Sequence, residues 1–477
     1  MQEKSGFAKG FLLFVVIYGI LASLMYWVVR DDWQRTAVST DMVNMDALLP
    51  ELVEGKEISQ DIQIAADSLE FLTLYVNLHP GVSPESQLVA AFSAGDQEIG
   101  EKAIPYGAVK LDGELTFPVN DLSLPGKGAL VSMTLRAEGG LSLWYGSSKT
   151  AGKFQVNVET SGLRMNGEAL EGELTLSQKG TLFLPYTKYF WPVALVLFLG
   201  LAAVILYCHH CRQNNLNNRI NQGIDLIKQY KYLLKTLVIR DFKIKYKASM
   251  LGVVWSFLNP LLMTFVYMFV FSMLFRSSIE YFVVYLMSGI ILFNYFSESS
   301  NLGMQSIVGN AGLITKVYMP KYILPISKVL SSGINLIISL IPLLIMMAIS
   351  GVRFSKSLLL IPVVLLFLIL FCVGVSLILS TAIVYFRDVQ FLWGIFLTVL
   401  NFLSPIFYPE SIIPARFITL YHMNPMYQYL FFMRTITIGG VSPTPITYLY
   451  CILASLGTLA VGLFIFRKCQ SQFVLYL

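Results

Sequence analysis

The residues that would have to perform chemistry are sparse in this chain, and their spacing excludes more than it supports. A loop that cradles nucleotide phosphates needs G-x-x-x-x-G-K-[ST], with glycines exposing backbone N–H groups and the lysine reaching the terminal phosphates. Gly-Lys occurs at Gly55-Lys56, Gly126-Lys127 and Gly152-Lys153, and neither Ser nor Thr follows any of them. The chain is expected not to hydrolyse ATP itself. Sugar-transfer chemistry needs clustered carboxylates, yet the second half offers Asp241, Glu280, Glu298, Asp388 and Glu410, widely scattered. Cys208-His209-His210-Cys211 has metal-ligating types in one contiguous run, whereas closed zinc sites draw ligands from separated pairs. It reads as a boundary cluster, with no metal expected. Aromatic residues remain, because sugar C–H faces pack on rings and polar ring tips hydrogen-bond hydroxyls. Tyr281, Tyr285, Phe293, Tyr295, Phe407, Tyr408, Tyr427 and Tyr429 are the candidate ring contacts, together with the carboxylate of Glu298. Interface anchoring or core packing explains any single one of these rings more simply. Trp144 and Tyr145 could form a separate sugar platform, though rings in a small β-domain are commonly core.

The elements that must position these groups lie in a membrane. The chain is 55% hydrophobic and 13% charged, about half the charge of a soluble domain. The charges are unevenly spread: most of the 29 acidic residues fall between Asp31 and Glu173, where Lys and Arg are fewer than half as many. None of the five cysteines lies in that acidic region, so its core must hold it without disulfides.

An apolar run at 11–29 has bulky Met25, Tyr26 and Trp27 at its end, which suits an uncleaved helix better than a signal peptide. From Ile58 onward, alternation recurs in pieces such as DIQIAA, LEFLTLYVNL, SQLVAAFSA, ALVSMTLRA, LSLWYG and GKFQVNVET, separated by Gly- and Pro-rich turns. About eight short strands predict a β-sandwich over 31–187, with 31–57 a linker or short helix. A second span is expected near 189–207. Residues 209–247 then carry nine Lys or Arg against Asp225 and Asp241, which puts this segment in the cytoplasm and the acidic domain outside. Six further spans fit 252–275, 282–304, 323–349, 357–384, 390–407 and 445–466, giving about eight transmembrane helices and both termini in the cytoplasm. The region 408–440 is Pro-rich, polar and aromatic, and reads as short re-entrant helices.

Three ordered stretches in the second half form one pattern. RDFKIKYKASMLGVVWSFLNP (240–260) is an amphipathic segment running into an apolar helix. Arg240, Asp241, Lys243, Lys245, Tyr246, Lys247 and Trp255 lie at the interface, where the lysines favour an anionic lipid surface. NAGLITKVYMPKYILP (310–325) should hold a short helix from Gly312 to Tyr318, broken by Pro320, with Lys316 and Lys321 exposed. YFRDVQFLWGIFLTVLNFLSPIFYPESIIP (385–414), followed by NPMYQYLFFMR (424–434), places Arg387 and Asp388 as a charge pair at a span boundary. Arg387 as a helix-end anchor and Asp388 as a cap explain these two residues somewhat better than such a pair.

Over about 228–477 this pattern resembles the membrane subunit of ABC exporters of the O-antigen and teichoic-acid class. The resemblance implies a six-helix permease domain at 251–477, acting as a homodimer with two copies of a separate ATPase that holds ATP and Mg. Asn310, Gly312, Lys316, Tyr318, Pro320 and Lys321 would then couple to that ATPase. A lipid-linked glycan would be the cargo, in a bacterial cytoplasmic (inner) membrane, with membrane lipids as further partners and no nucleic acid. The candidate rings and Glu298 would line its translocation path. The added N-terminal span and external domain depart from that pattern. The competing readings are a lipid or small-molecule exporter on the same scaffold, a membrane glycosyltransferase, and a sensor or scaffold.

Overall fold

A computed structural model describes residues 2–41, 47–53, 55–79, 82–95, 97–110, 113–137, 141–146, 161–170, 173–174, 176–183, 186–214, 219–247, 249–272, 281–316, 319–409 and 415–476. The chain divides into two compact units, one of Asp31–Tyr189 and one of Met1–Arg30 with Phe190–Leu477.

The first unit is built from β1 (Arg35–Asp41), β2 (Ala47–Leu48), β3 (Glu57–Gln63), β4 (Ser68–Leu78), β5 (Gln87–Ala94), β6 (Gln97–Pro105), β7 (Glu114–Pro118), β8 (Leu130–Ala137), β9 (Leu141–Gly146), β10 (Ser161–Met165), β11 (Glu168–Ala169), β12 (Glu173–Leu174) and β13 (Leu176–Phe183). One antiparallel sheet runs β1-β13-β4-β9-β12, with β7 also on β4 and β2 on β9; the other runs β11-β10-β3-β8-β5-β6. Alternation makes the core: Ile58 and Ile62 of β3, Leu88 and Phe92 of β5, and Val131, Met133 and Leu135 of β8 point inward, against Leu72, Leu74 and Leu143. Buried Gln178 accepts from Ala65 N–H at 2.9 Å and donates to Gln63 C=O at 2.9 Å, which satisfies backbone between strands.

The stretch expected as a linker, 31–57, instead holds β1 and β2. RTAVSTD alternates too weakly to be seen as a strand, and it becomes one by pairing along β13 from Arg35↔Phe183 to Asp41↔Ser177. The strand expected at 152–160 lies outside the described residues.

The second unit is helical. Its elements are α1 (Gln2–Gln34), α2 (Tyr186–Gln213), α3 (Arg219–Tyr246), α4 (Val254–Ser272), α5 (Phe282–Gln305), α6 (Ala311–Lys316), α7 (Ile323–Ile349), α8 (Ile361–Tyr385), α9 (Val389–Leu403), α10 (Ala415–Met423), α11 (Pro425–Thr437), α12 (Pro445–Cys469) and α13 (Phe473–Tyr476). Among the described residues, α1, α2, α5, α7, α8 with the turn before it, and α12 are long and apolar enough to cross a membrane; α4 and α9 are apolar but shorter. The span expected at 390–407 therefore needs correction. Helix α9 has 15 residues, about 22 Å at about 1.5 Å per residue, short of a hydrocarbon core of about 30 Å. It stops at Leu403 because Ser404 turns extended (φ −97°, ψ 128°) and Pro405 has no N–H to continue the ladder.

Helices α8 and α12 approach closely through glycine. A Cβ on Gly374 would lie 2.5 Å from the Thr458 carbonyl carbon, and one on Gly462 would lie 2.5 Å from Gly374 O. Small residues at such crossings let backbones touch where lipid supplies no hydrophobic drive. Helix α5 is the most buried span, whereas α1 and α2 expose Leu12, Leu13, Ile20, Val196 and Leu197, as hydrocarbon contact requires. Those two helices meet through a stacked Phe14–Phe198 pair at 5.8 Å and Tyr18 OH donating to Ala194 O at 2.6 Å.

Candidate functional site: the interface-helix elbow and its polar cavity

Helix α3 ends at Tyr246 and the chain turns into α4 at Val254, with Gly252 at positive φ (51°) in the elbow. Helical spacing divides the polar residues of α3 into two sets. Arg240, Lys243 and Lys247 rim an open groove of about 800 Å3 whose walls include Ile239, Phe242, Ile244 and Val253. Cations around an apolar cleft suit an anionic amphiphile. Asp241 and Lys245 are anchored to the bundle instead. Asp241 is buried between Arg240 (2.9 Å) and Lys328 of α7 (2.9 Å), so it ties α3 to α7.

Lys245 pairs with Glu298 of α5 at 2.7 Å. Asn335 of α7 donates to the same carboxylate oxygen at 3.2 Å, and its own Oδ1 accepts from Tyr246 OH at 2.9 Å and Ser256 Oγ at 3.1 Å. Tyr246 OH and Ser256 Oγ are also in hydrogen-bond contact, so their two protons are shared among the three contacts. Ser339 closes the network onto Ser256 O at 3.0 Å. These groups, with Trp255, Asn259, Asn294, Tyr295 and Ser332, line a cavity of about 130 Å3 between α3, α4, α5 and α7. Glu298 is thus brought together with the interface helix. Asn259, Asn294, Ser332 and Asn335 were missed by the sequence reading. Amides spaced in apolar runs were the signal available.

Most aromatic candidates for the path are packed inside the helical unit. Phe293, Tyr295, Phe407, Tyr427 and Tyr429 are all below a tenth exposed. Tyr429 OH donates to Cys451 O at 3.3 Å, and Tyr427 stacks on His422 at 5.1 Å. Their rings hold helix to helix within the protomer, and of these five Tyr295 reaches the cavity. Tyr285 and Tyr408 build the break after α9: Tyr285 OH donates to Pro405 O at 3.0 Å and Tyr408 O at 2.7 Å, and Tyr408 OH donates to Phe402 O at 2.6 Å. Tyr281 precedes α5 in left-handed backbone (φ 53°).

Arg434 clamps the same break, a role unassigned in the sequence. Its guanidinium donates to Pro405 O (2.7 Å), Ile406 O (3.2 Å) and Tyr285 O (3.3 Å), and lies 3.4 Å from the centre of the Tyr285 ring. Gly289 leaves the room for it, since a Cβ there would be 3.0 Å from Arg434 Nη2.

Helix α6 covers most of the expected coupling segment. Gly312 and Lys316 are exposed, Asn310 caps back on Ser306 O at 2.8 Å, Pro320 is half-buried, and Tyr318 lies outside the described residues. Lys321 departs from expectation: it donates to Gln470 O at 2.6 Å, at the C-terminus of α12, and sits over the Phe473 ring. A carbonyl end is a favourable place for a cation, and burial lowers the ammonium pKa. Arg387 and Asp388 are both exposed, and no ion pair joins them among the described residues. Asp388 holds the N-cap position of α9 without a side-chain bond, so a boundary pair is not formed.

Trp144 and Tyr145 are neighbours on β9, and neighbours in a strand face opposite ways. Tyr145 packs on the sandwich core, so the two rings do not make one platform. On α2, Cys208 and Cys211 are buried, while His209 and His210 bond Gln213 and Asn214 at 3.0 Å; the run is split between two helix faces.

Residues 232–438, from α3 to the end of α11, match the family model described as ABC-2 type transporter. An O-antigen export system permease protein of Klebsiella pneumoniae is 30% identical over 249 residues, 51% of this chain and 95% of that protein. The chain belongs to the ABC-2 transporter permeases. An O-antigen export system permease protein of Myxococcus xanthus is 35% identical over 201 residues, 42% of this chain and 77% of its own length. A polysialic acid transport protein of Escherichia coli is 25% identical over 245 residues, 50% and 93% of the two chains. The matched part of this ABC-2 permease contains the elbow, the polar cavity, α6 and the clamped break. The β-sandwich lies outside it.

Proposed function

We propose that this chain is the transmembrane subunit of an ATP-driven exporter that carries a cell-surface polysaccharide, or its lipid-linked precursor, across a bacterial cytoplasmic membrane. The observation that carries this reading is the match of α3 to α11 to ABC-2 permeases, several of them named for polysaccharide export. The chemistry agrees with it. A cationic rim over an apolar groove suits a lipid carrier at the inner leaflet, and the adjoining cavity is polar yet charge-balanced. Energy enters from a separate ATPase, two copies docking on the α6 faces of a homodimer, with ATP and Mg held there and exposed Lys316 in contact. The basic 209–247 segment and both termini are cytoplasmic, and the acidic sandwich is extracytoplasmic, by the excess of cations inside. On this reading the sandwich would guide or retain emerging polymer.

The test is purification of the tagged full-length chain from its native membrane. A stoichiometric partner bearing a phosphate-binding loop is expected, and Lys316→Glu should release it while leaving the chain in the membrane. Isolation of the chain without any ATPase, in a detergent that keeps a known ABC complex intact, would overturn the assignment.

A further inference from the structure

The cavity beneath the elbow holds features that helix packing does not use. Ser332 is 1% exposed, lines the cavity, and its Oγ makes no hydrogen bond among the described residues. A buried hydroxyl without a partner costs about 1–3 kcal/mol, so this one is waiting for a polar occupant. At the mouth, Asn259 in the largely apolar α4 and Asn294, which follows the apolar stretch 289–293 of α5, are both exposed. Side-chain amides facing hydrocarbon would be costly, so the mouth opens on a polar route rather than on lipid tails.

The charge at the wall narrows the occupant. Lys245 and Glu298 neutralise each other at 2.7 Å. A phosphate entering here would meet the Glu298 carboxylate, and a cation would meet the Lys245 ammonium. A neutral molecule rich in hydroxyls meets neither penalty. Amides donate and accept together, which matches hydroxyls that do the same. Trp255 is 44% exposed at the edge and offers an indole face to an apolar C–H surface. The volume of about 130 Å3 is close to that of a cavity of about 150 Å3 that holds a benzene, so it admits the edge of one sugar ring seated at the open mouth and not a second ring.

We propose that this cavity is a sugar subsite: one uncharged sugar ring of the transported glycan docks against Trp255, with hydroxyls on Asn259, Asn294, Glu298 and Ser332. The subsite rests on the polysaccharide-export reading and adds where within one protomer a sugar is held. Tyr246 walls both this cavity and the cationic groove, so the lipid end and the first sugars of one molecule can be held side by side.

The test uses the full-length chain in its host membrane, with the host's own glycan as probe. Asn259→Cys and Asn294→Cys are each labelled with a benzophenone maleimide and irradiated during export, with Leu449→Cys on the exposed face of α12 as control. Glycan attached to the chain is detected by periodate staining of the shifted band. Attachment at both asparagine positions, at least five-fold above Leu449→Cys and reduced by adding Ser332→Val, is the expected result. A parallel variant, Asn294→Leu, should export at least three-fold less glycan while retaining its membrane level and its ATPase. Normal export with attachment only at the control level, or wild-type export by Asn294→Leu, means a water-filled cavity and overturns the proposal. Surface glycan that does not depend on the chain at all would remove the exporter reading itself, which is told apart by measuring glycan in the deletion strain.

Discussion

Replacing Arg434 by Met keeps an unbranched side chain of similar length and removes the guanidinium that clamps the break after α9. Three carbonyls lose a donor, but two retain another: Pro405 O still accepts from Tyr285 OH at 3.0 Å and Tyr285 O from Ser288 Oγ at 2.9 Å. Ile406 O is left with none among the described side-chain donors, at a cost of about 1–3 kcal/mol. The contact at 3.4 Å with the Tyr285 ring is lost as well, about 2 kcal/mol for a desolvated cation on a ring. One term opposes these. Arg434 Nε is buried without a partner among the described residues, and removing it returns about 1–3 kcal/mol. The net destabilisation is about 2 kcal/mol, which for a unit of this size is a fall in melting midpoint of about 3 °C. Thermal melts of the detergent-purified chain, followed by size-exclusion fluorescence, measure it, and protease cleavage near residues 404–415 reads the local effect. A midpoint within 1 °C of wild type, with cleavage unchanged, would refute the reasoning. It would show that the guanidinium's desolvation cancels its bonds and that other contacts hold the break.

Gly374→Val should abolish accumulation of folded chain, because its side chain enters the Thr458 backbone; recovery of Gly374→Val at wild-type levels would contradict the close crossing of α8 and α12. Asp241→Asn removes a buried carboxylate from between Arg240 and Lys328 and should lower the melting midpoint by several degrees, since breaking one side of a buried pair leaves cations uncompensated. Lys321→Met should loosen the last residues, raising proteolysis after Gln470 without dissociating the ATPase, whereas Lys316→Glu should do the reverse. A co-purification assay with limited proteolysis separates the two, and identical behaviour of both variants would remove the distinction drawn between them.

The sandwich, the long spans and the helical character of the amphipathic segment ending at Tyr246 were legible in the sequence because each rests on a strong local period or on length. Weakly alternating β1 escaped because its partner β13 lies about 140 residues away along the chain and only pairing makes it a strand. The end of α9 was placed too late because aromatic and apolar residues continue past Pro405, and hydropathy does not register a lost N–H. In the candidate site, Glu298 stood out as an isolated carboxylate in a span, and Lys245 as part of a basic stripe, but their pairing joins residues 53 positions apart. The aromatic path candidates were not separable by type for a physical reason: a ring in a membrane helix serves packing, interface and sugar contact equally well. Tyr427 and Tyr429 are buried by neighbours that the sequence does not place. Arg434 was hidden in the opposite way, since a basic residue after an aromatic helix reads as an interface anchor until the carbonyls of Pro405 and Ile406 are seen around it.

The most direct measurement is the fate of the host's surface polysaccharide when this chain is depleted. Surface polymer should fall to background while lipid-linked glycan accumulates on the cytoplasmic side, and both should recover on re-expression. Wild-type surface polymer after complete depletion, with no internal accumulation, would contradict the assignment of this permease to glycan export.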